Sequence, residues 1–263
     1  MPEVRLTAGV YLMRGPCPYF EGRAAVSEII VPRECPQELF YSLMAPRGLR
    51  RDADYVYRPA CPGCARCIPS RIDLEAFRPD RTMRKVLRRA VGVRMRLLPP
   101  DFSEEHYELF ARYERMRHGG HMAEMTAGDY SKSMLESRVA TRLLEVREED
   151  RLVGVCVIDF VHDGLSAVYN FYEPGLARRS PGTLLILCEI SVARHMRQRY
   201  LYLGHWIPGY PRMDYKRRFS GFELLFGGAW QPLAACEGAL PRMPEDGPAQ
   251  PGDAPAEAGE DQG

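Results

Sequence analysis

Hydrophobic positions along this chain recur with two periods, and the switches between them mark the elements. Val93–Leu98 alternates apolar and basic residues, as a half-buried strand does. Thr141–Arg147, Leu152–Val161 and Leu165–Tyr172 are β-like runs, and His162-Asp163-Gly164 between the last two predicts a hairpin turn, since Asp-Gly supplies positive φ. Tyr200–Gly204 and Phe222–Phe226 predict two later strands, and Asp54–Arg58 and Ser70–Leu74 read as extended. Helical spacing appears over Pro36–Ala45 and Pro79–Ala90. It returns after Ser103, where Tyr107, Phe110 and Tyr113 share a face behind two acids suited to a helix N-terminus, and over Thr126–Ser137. Ser180-Pro181 predicts another helix start, with Ser as cap and Pro at the first position. Leu184, Leu187, Cys188, Ser191 and Val192 then form its apolar-to-small face through about Arg199.

Long strands, a helix and a further strand in that order predict an α+β chain. The order fits a GNAT-like acyl-CoA N-acyltransferase fold, in which the middle strands splay and a helix N-terminus between them faces the acyl donor. Three regions follow: a Cys-rich N-terminal region over 1–75, a transferase domain over 76–236 that begins with a basic helix, and a tail over 237–263. The tail is rich in Pro, Gly, Ala and acid, and it has too little apolar surface to offset the entropy of ordering. No run reaches the ~20 apolar residues of a membrane helix. The first residues also lack the apolar core of a secretory signal, so a cytoplasmic protein without a membrane partner is expected.

Charge changes this picture in one respect. The net charge of +1 hides a tail with seven acids and one arginine, so residues 1–236 carry about +7. A basic body suits a polyanionic partner. The positive charge concentrates over 78–96, where eight Arg and Lys face only Asp80. Arg81, Arg84, Lys85, Arg88 and Arg89 cover one helix face, a track for phosphates. Arg179-x-x-Gly182-x-Leu184 places free N–H groups and a cation at a helix start, as phosphate binding requires. Leucine stands where coenzyme-A-dependent acyltransferases carry a small residue, which weighs against an acetyl-CoA-dependent N-acetyltransferase. The aromatic set around Tyr200, Tyr202, Trp206, Tyr210 and Tyr215, interleaved with Lys216, Arg217 and Arg218, is suited to stacking unpaired bases.

Five of the eight cysteines precede residue 68. Cys61-Pro62-Gly63-Cys64-Ala65-Arg66-Cys67 sets two C-x-x-C steps in seven residues, with Cys17 or Cys35 available as a fourth ligand. Zinc and an iron–sulfur cluster both suit such a set. A non-catalytic zinc-dependent RNA-binding protein would share these features.

Together the segments resemble the arginyl-/leucyl-tRNA–protein transferase family. The matching residues are Cys17-Pro18-Tyr19, Tyr57-Arg58-Pro59, Phe77-Arg78-Pro79, Tyr113 with Arg117-His118, and Asp163 to Tyr169 with Gly182-Thr183. The C-terminal matches are Tyr200 to Ile207 and Met213-x-Tyr215-Lys216-x-x-Phe219. Glu21, Tyr210, Pro211-Arg212 and Phe222 depart from the pattern. The length resembles the bacterial branch, which implies transfer of leucine from leucyl-tRNA to N-terminal Asp or Glu and marking for an N-degron protease system. The related activity adds arginine to the same acceptors. The expected partners are an aminoacyl-tRNA and protein N-termini beginning with Asp or Glu, with no cofactor required for the chemistry. No Ser-His-Asp or Cys-His set is legible, which suits direct aminolysis. Candidate catalytic residues are Asp159, Tyr169 and Tyr202. Arg179, Lys216 and the 81–89 helix are candidates for tRNA, Arg66 and Arg71 for the acidic acceptor, and Cys17, Cys61, Cys64 and Cys67 for the metal.

Overall fold

The β-like runs become strands, and the stretches with three-to-four-residue spacing become helices. The computed structural model describes residues 8–33, 36–53, 55–117 and 121–241. Cys35, Asp54, His118, the tail beyond residue 241 and the side chain of Arg178 lie outside the described residues. In chain order the elements begin with β1 (Ala8–Pro16), β2 (Ala24–Pro32), α1 (Gln37–Met44), β3 (Arg50–Asp52), β4 (Tyr55–Pro59) and β5 (Ile68–Asp73). Next come α2 (Arg81–Arg89), β6 (Val93–Leu98), α3 (Glu104–Arg117), α4 (Ala127–Tyr130), β7 (Thr141–Glu148), β8 (Arg151–Val161) and β9 (Gly164–Tyr172). The last elements are α5 (Pro181–His195), β10 (Tyr200–Trp206), β11 (Phe222–Phe226), β12 (Ala229–Pro232) and α6 (Leu233–Cys236).

The strands form two sheets, so the molecule is α+β. One has the order β1-β2-β4-β3, and the other β12-β11-β5-β10-β9-β8-β7-β6. A strand from within the first 75 residues, β5, lies in the middle of the large sheet between β11 and β10. Ladder pairing in the large sheet is antiparallel except between β9 and β10. That parallel pair follows from the crossover through α5, because parallel strands cannot be joined by a tight turn.

Local chemistry explains several boundaries. Asp80 accepts a hydrogen bond from the Met83 N–H and so starts α2. Thr126 and Asp129 form a capping box for α4, whose path continues as a wider turn over Ser131–Leu135. The start of α5 differs from expectation. Ser180 adopts φ 57° and ψ 53°, and its side chain makes no capping bond. It ends the turn Pro174–Arg179 and hands the chain to Pro181. The end differs too: Arg197 takes φ 56°, which stops α5 at His195 before Arg199 is reached.

The core runs between the large sheet and its helices. Phe110 of α3, Phe171 of β9 and Leu185 of α5 are fully buried there. A second cluster ties the sheets together through Phe40 and Tyr41 of α1, Val56 of β4, Val161 of β8 and Tyr202 of β10. Among the described residues no helix is long and apolar enough to cross a membrane.

Candidate active site

The parallel pair β9 and β10 opens almost as soon as it forms. Gly164, Leu165 and Ser166 pair with Tyr200, Leu201 and Tyr202, and then the strands part. Parting strands leave carbonyls without ladder partners, and buried carbonyls need donors. Two cations supply them. Arg50 of β3 donates from Nη1 to the Ala167 carbonyl at 3.0 Å and from Nη2 to the Val168 carbonyl at 3.1 Å. Lys216 Nζ donates to the Leu203 and His205 carbonyls of β10 at 2.7 and 2.9 Å. The register of β10 on β5 shifts between Tyr202 and Gly204, and Gly204 has φ 72°. A Cβ on Gly204 would stand 2.8 Å from the Arg50 guanidinium carbon, so the residue must be small as well as left-handed.

Acids and phenols line the splay. Glu189 of α5 is fully buried, and Asn170 Nδ2 of β9 donates to its Oε2 at 3.1 Å. Its Oε1 and the Asn170 Oδ1 have no hydrogen-bond partner. Burial pushes the Glu189 carboxyl up to about 8, against the opposing pull of Asn170, Cys156 and Lys216. Lys216 moves the other way, down to about 7, through burial and the Arg50 charge. Glu114 of α3 is fully buried and accepts from the Tyr169 hydroxyl at 2.5 Å, and burial raises its pKa. His205 is held near 3 by burial and by the Arg50 and Lys216 charges, so it is neutral at cellular pH. Tyr113 and Tyr172 stack edge to face with centroids 4.8 Å apart, and the nearby Tyr215 is 38% exposed. The site thus holds a buried acid, a nearby amine and an aromatic opening.

The catalytic residues expected from sequence are not gathered at one point. Asp159 is fully buried, and Arg51 grips both its oxygens at 2.7 and 3.0 Å while the Thr141 hydroxyl donates to Oδ1 at 2.6 Å. Tyr169 lies on Glu114, and the Tyr202 hydroxyl donates to Asp163 Oδ1 at 2.9 Å. Arg71 joins Tyr202 across 3.5 Å, and its guanidinium lies 3.5 Å from the Tyr200 ring centroid and 4.3 Å from that of Trp230. Glu223 balances its charge at 2.8 Å. Arg66 stands over the Phe20 ring and donates to Cys64 Sγ. Sequence reading passed over Glu189, Asn170, Glu114 and Arg50. One signal was available for Glu189: it is the sole charge in the otherwise apolar or small run Leu184–Ala193.

The expected phosphate contacts fall in two groups. Arg81, Arg84, Lys85, Arg88 and Arg89 are exposed on α2, whose other face buries Met83 and Val86. Arg179 contacts Glu148 through two oxygens at 2.6 and 2.7 Å and donates to the Arg89 carbonyl at 3.2 Å, which ties the end of α2 to the start of α5. Lys216 faces inward to β10 and not outward to a phosphate track.

Four cysteines meet at a separate corner. Burial and the neighbouring Cys17, Cys64 and Cys61 thiols push the Cys67 thiol up to about 12. Cys61 Sγ accepts from the Val26 N–H at 3.2 Å, and Cys17 and Cys67 pack on the cluster of Phe20, Ile207 and Tyr210. Among the described residues no three His, Cys, Asp or Glu side chains stand at metal-coordinating spacing. The donor set alone, four thiols with mutual influence, suits a soft cation or a cluster.

Comparison with known proteins gives this geometry a lineage. Residues 15–85 match the family profile described as "Arginine-tRNA-protein transferase, N terminus", and residues 105–226 match its C-terminus profile. The aspartate/glutamate leucyltransferase of Chromobacterium violaceum is 41% identical over 83% of this chain and 90% of its own. That of Ruegeria pomeroyi is 40% identical over 83% and 81%. Among solved structures, the C-terminal domain of a putative lysylphosphatidylglycerol synthetase from Agrobacterium fabrum covers 81% of this chain and 78% of its own, with 13% identity and a TM-score of 0.45. Two profiles in the expected order, and relatives matched over most of their length, establish that this chain belongs to the arginine-tRNA–protein transferase family.

Proposed function

We propose that the protein transfers leucine from leucyl-tRNA to the α-amine of proteins that begin with Asp or Glu, and so marks them for an N-degron protease system in the cytoplasm. The carrying observation is the splay of β9 and β10 beside a basic helix. The family's relatives bear the name aspartate/glutamate leucyltransferase, and the splayed pair with α5 behind it supports a GNAT-like reading of the fold.

The donor is an ester on the tRNA 3′ adenosine, already activated toward amines. The acceptor α-amine has a pKa near ~8, so an appreciable fraction is neutral. The enzyme must therefore align amine and carbonyl, remove a proton and stabilise the oxyanion. In this proposal the α2 face of Arg81, Arg84, Lys85, Arg88 and Arg89 carries tRNA phosphates, with Arg179 fixing α2 against α5. Lys216, held to β10 by two of its three N–H groups, stands by the reacting carbonyl and not on the tRNA backbone. Tyr169 and Tyr202 align substrates from β9 and β10, and Asp159 supports β7 and β8 from beneath. Arg66 and Arg71 supply the cations for an acidic acceptor side chain. Cys17, Cys61, Cys64 and Cys67 are the residues that would hold zinc or an iron–sulfur cluster, whose part is to cross-link the corner next to Ile207.

The test uses purified protein, peptides starting with Asp, Glu or Ala, and tRNA charged with labelled leucine or arginine. Label reaching only the Asp and Glu peptides, from leucyl-tRNA, is the expected result. Label from arginyl-tRNA overturns the donor, and transfer to Ala peptides overturns the acceptor rule.

A further inference from the structure

A carboxylate in the middle of an apolar helix needs a reason. Burying an ionisable group without full pairing is costly, and such groups gather where chemistry needs them. Glu189 is fully buried between α5 and the large sheet. One of its oxygens accepts from the neutral Asn170 amide, and the Cys156 thiol of β8 is the other side-chain donor within reach of the carboxyl. The other oxygen has no hydrogen-bond partner, and neither has the Asn170 Oδ1 beside it. The groups that face it are Cys156 of β8, its α5 neighbour Cys188, and Lys216 and Tyr215 from the turn Asp214–Arg218. Lys216 spends bonds on the Leu203 and His205 carbonyls and makes no ion pair with Glu189. Tyr215 is 38% exposed, so solvent comes within one side chain of the acid. The unpartnered oxygens therefore form an acceptor pair at the splay, chemically suited to a group that brings N–H donors.

We propose that Glu189 takes the proton from the attacking α-amine, with Asn170 as the residue that positions its carboxylate. This rests on the aminoacyl-transfer reading. The neutral amine nitrogen attacks the ester carbonyl carbon and a C–N bond forms. An amine proton passes to Glu189. The tetrahedral intermediate collapses, the carbon–oxygen bond to the ribose breaks, and the leaving ribose oxygen receives the proton from Glu189. The carboxylate is thereby restored and no further reactant is needed. The two oxygens without partners are the places where the N–H groups of the attacking amine find acceptors.

The experiment is single-turnover transfer from leucyl-tRNA to an Asp-starting peptide, between pH 6.5 and 9, for the wild type, Glu189→Gln and Asn170→Ala. Glu189→Gln keeps the shape and removes the base, and it should slow transfer by about 10²-fold or more near pH 9, where the wild-type carboxyl is ionised, with little change in the peptide and tRNA concentrations at half-saturation. Its defect should shrink as pH falls below about 8, because the wild-type carboxyl is then protonated and no longer serves as a base. Asn170→Ala removes the donor that stabilises the carboxylate, so the rising limb of its pH–rate profile should move to higher pH. Glu189→Gln at the wild-type rate, or slowed equally at every pH, overturns the proposal. So does a wild-type profile for Asn170→Ala, which keeps the test open should the first variant fold poorly. A wild type that transfers no leucine at all sinks the broader reading instead, and the two failures are thus told apart.

Discussion

Individual buried charges in this molecule divide by how fully they are paired. Asp159 has each oxygen bonded, to Arg51 and Thr141, and neither member of the ion pair exposes its side chain. Removing one partner strands the other, and losses for such breaks run about 3–5 kcal/mol. Asp159→Ala should therefore lower unfolding free energy by about that amount in a urea titration. Whatever folds should keep its transfer rate near wild type, and a large rate defect with little stability loss would return Asp159 to the chemistry. Glu145 of β7 shows the opposite balance to Glu189. Burial would raise it, but hydrogen bonds from Arg147, His106 and Arg96 outweigh that and hold it down at about 2. Its folded pKa lies below its unfolded one, so its contribution is complete above about pH 4.5 and is lost as pH falls through about 2. Melting temperature should drop over that window, and Glu145→Gln should flatten the drop. An unchanged slope in the variant would assign the acid sensitivity elsewhere.

Elements were legible where one face meets the core and the other meets water. On α2, Met83 and Val86 turn inward and five cations turn outward, as the spacing implies. The β6 to β9 runs became strands and the hairpin at His162-Asp163 read from the Asp-Gly pair, but β6 is largely exposed where a half-buried strand was expected, and β8 is buried on both faces. The first two strands were not legible, for a physical reason. Along β1 Val10, Tyr11, Leu12 and Met13 are all exposed, so no alternation marks a buried face, and only its first residues reach the apolar cluster between the sheets. The α5 cap misled because Ser180 closes the preceding turn in a left-handed conformation. At the site, cations of the phosphate track were legible as a face, whereas Glu189 and Arg50 work through contacts far away in sequence. The exposed track makes its own prediction. Arg84→Gln with Arg88→Gln removes two charges from a face whose packing is elsewhere, so stability should change by no more than about 0.5 kcal/mol. Binding of tRNA should weaken, and its log–log dependence on salt should become shallower by about two phosphate contacts. An unaltered salt slope would take α2 off the tRNA path.

At the scale of the molecule, the small sheet reaches the large one through a shared apolar cluster and two adjacent arginines of β3, of which Arg51 holds Asp159 and Arg50 reaches the splay. Arg50 leaves β3, crosses to β9, satisfies the Ala167 and Val168 carbonyls, and lies against Gly204 of β10. It thereby occupies the place a ladder would take and keeps the two strands apart. The same charge pushes His205 and Lys216 toward their neutral forms, so the wedge sets both the width and the electrostatics of the opening. Two substitutions separate these roles. Arg50→Met removes charge and donors together, and leaves two carbonyls short of partners at about 1–3 kcal/mol each when buried. Gly204→Ala keeps the charge but sets a Cβ 2.8 Å from the guanidinium carbon at a residue with φ 72°, so the wedge must shift. Both should lower the melting temperature. Only Arg50→Met should raise the Lys216 pKa, which is measurable by reactivity of that amine toward an acylating reagent across pH. If Gly204→Ala slows transfer while leaving the Lys216 titration as in the wild type, strand spacing is what the chemistry depends on. If neither variant slows transfer, the splay is a feature of packing and the reacting groups must meet elsewhere on the sheet.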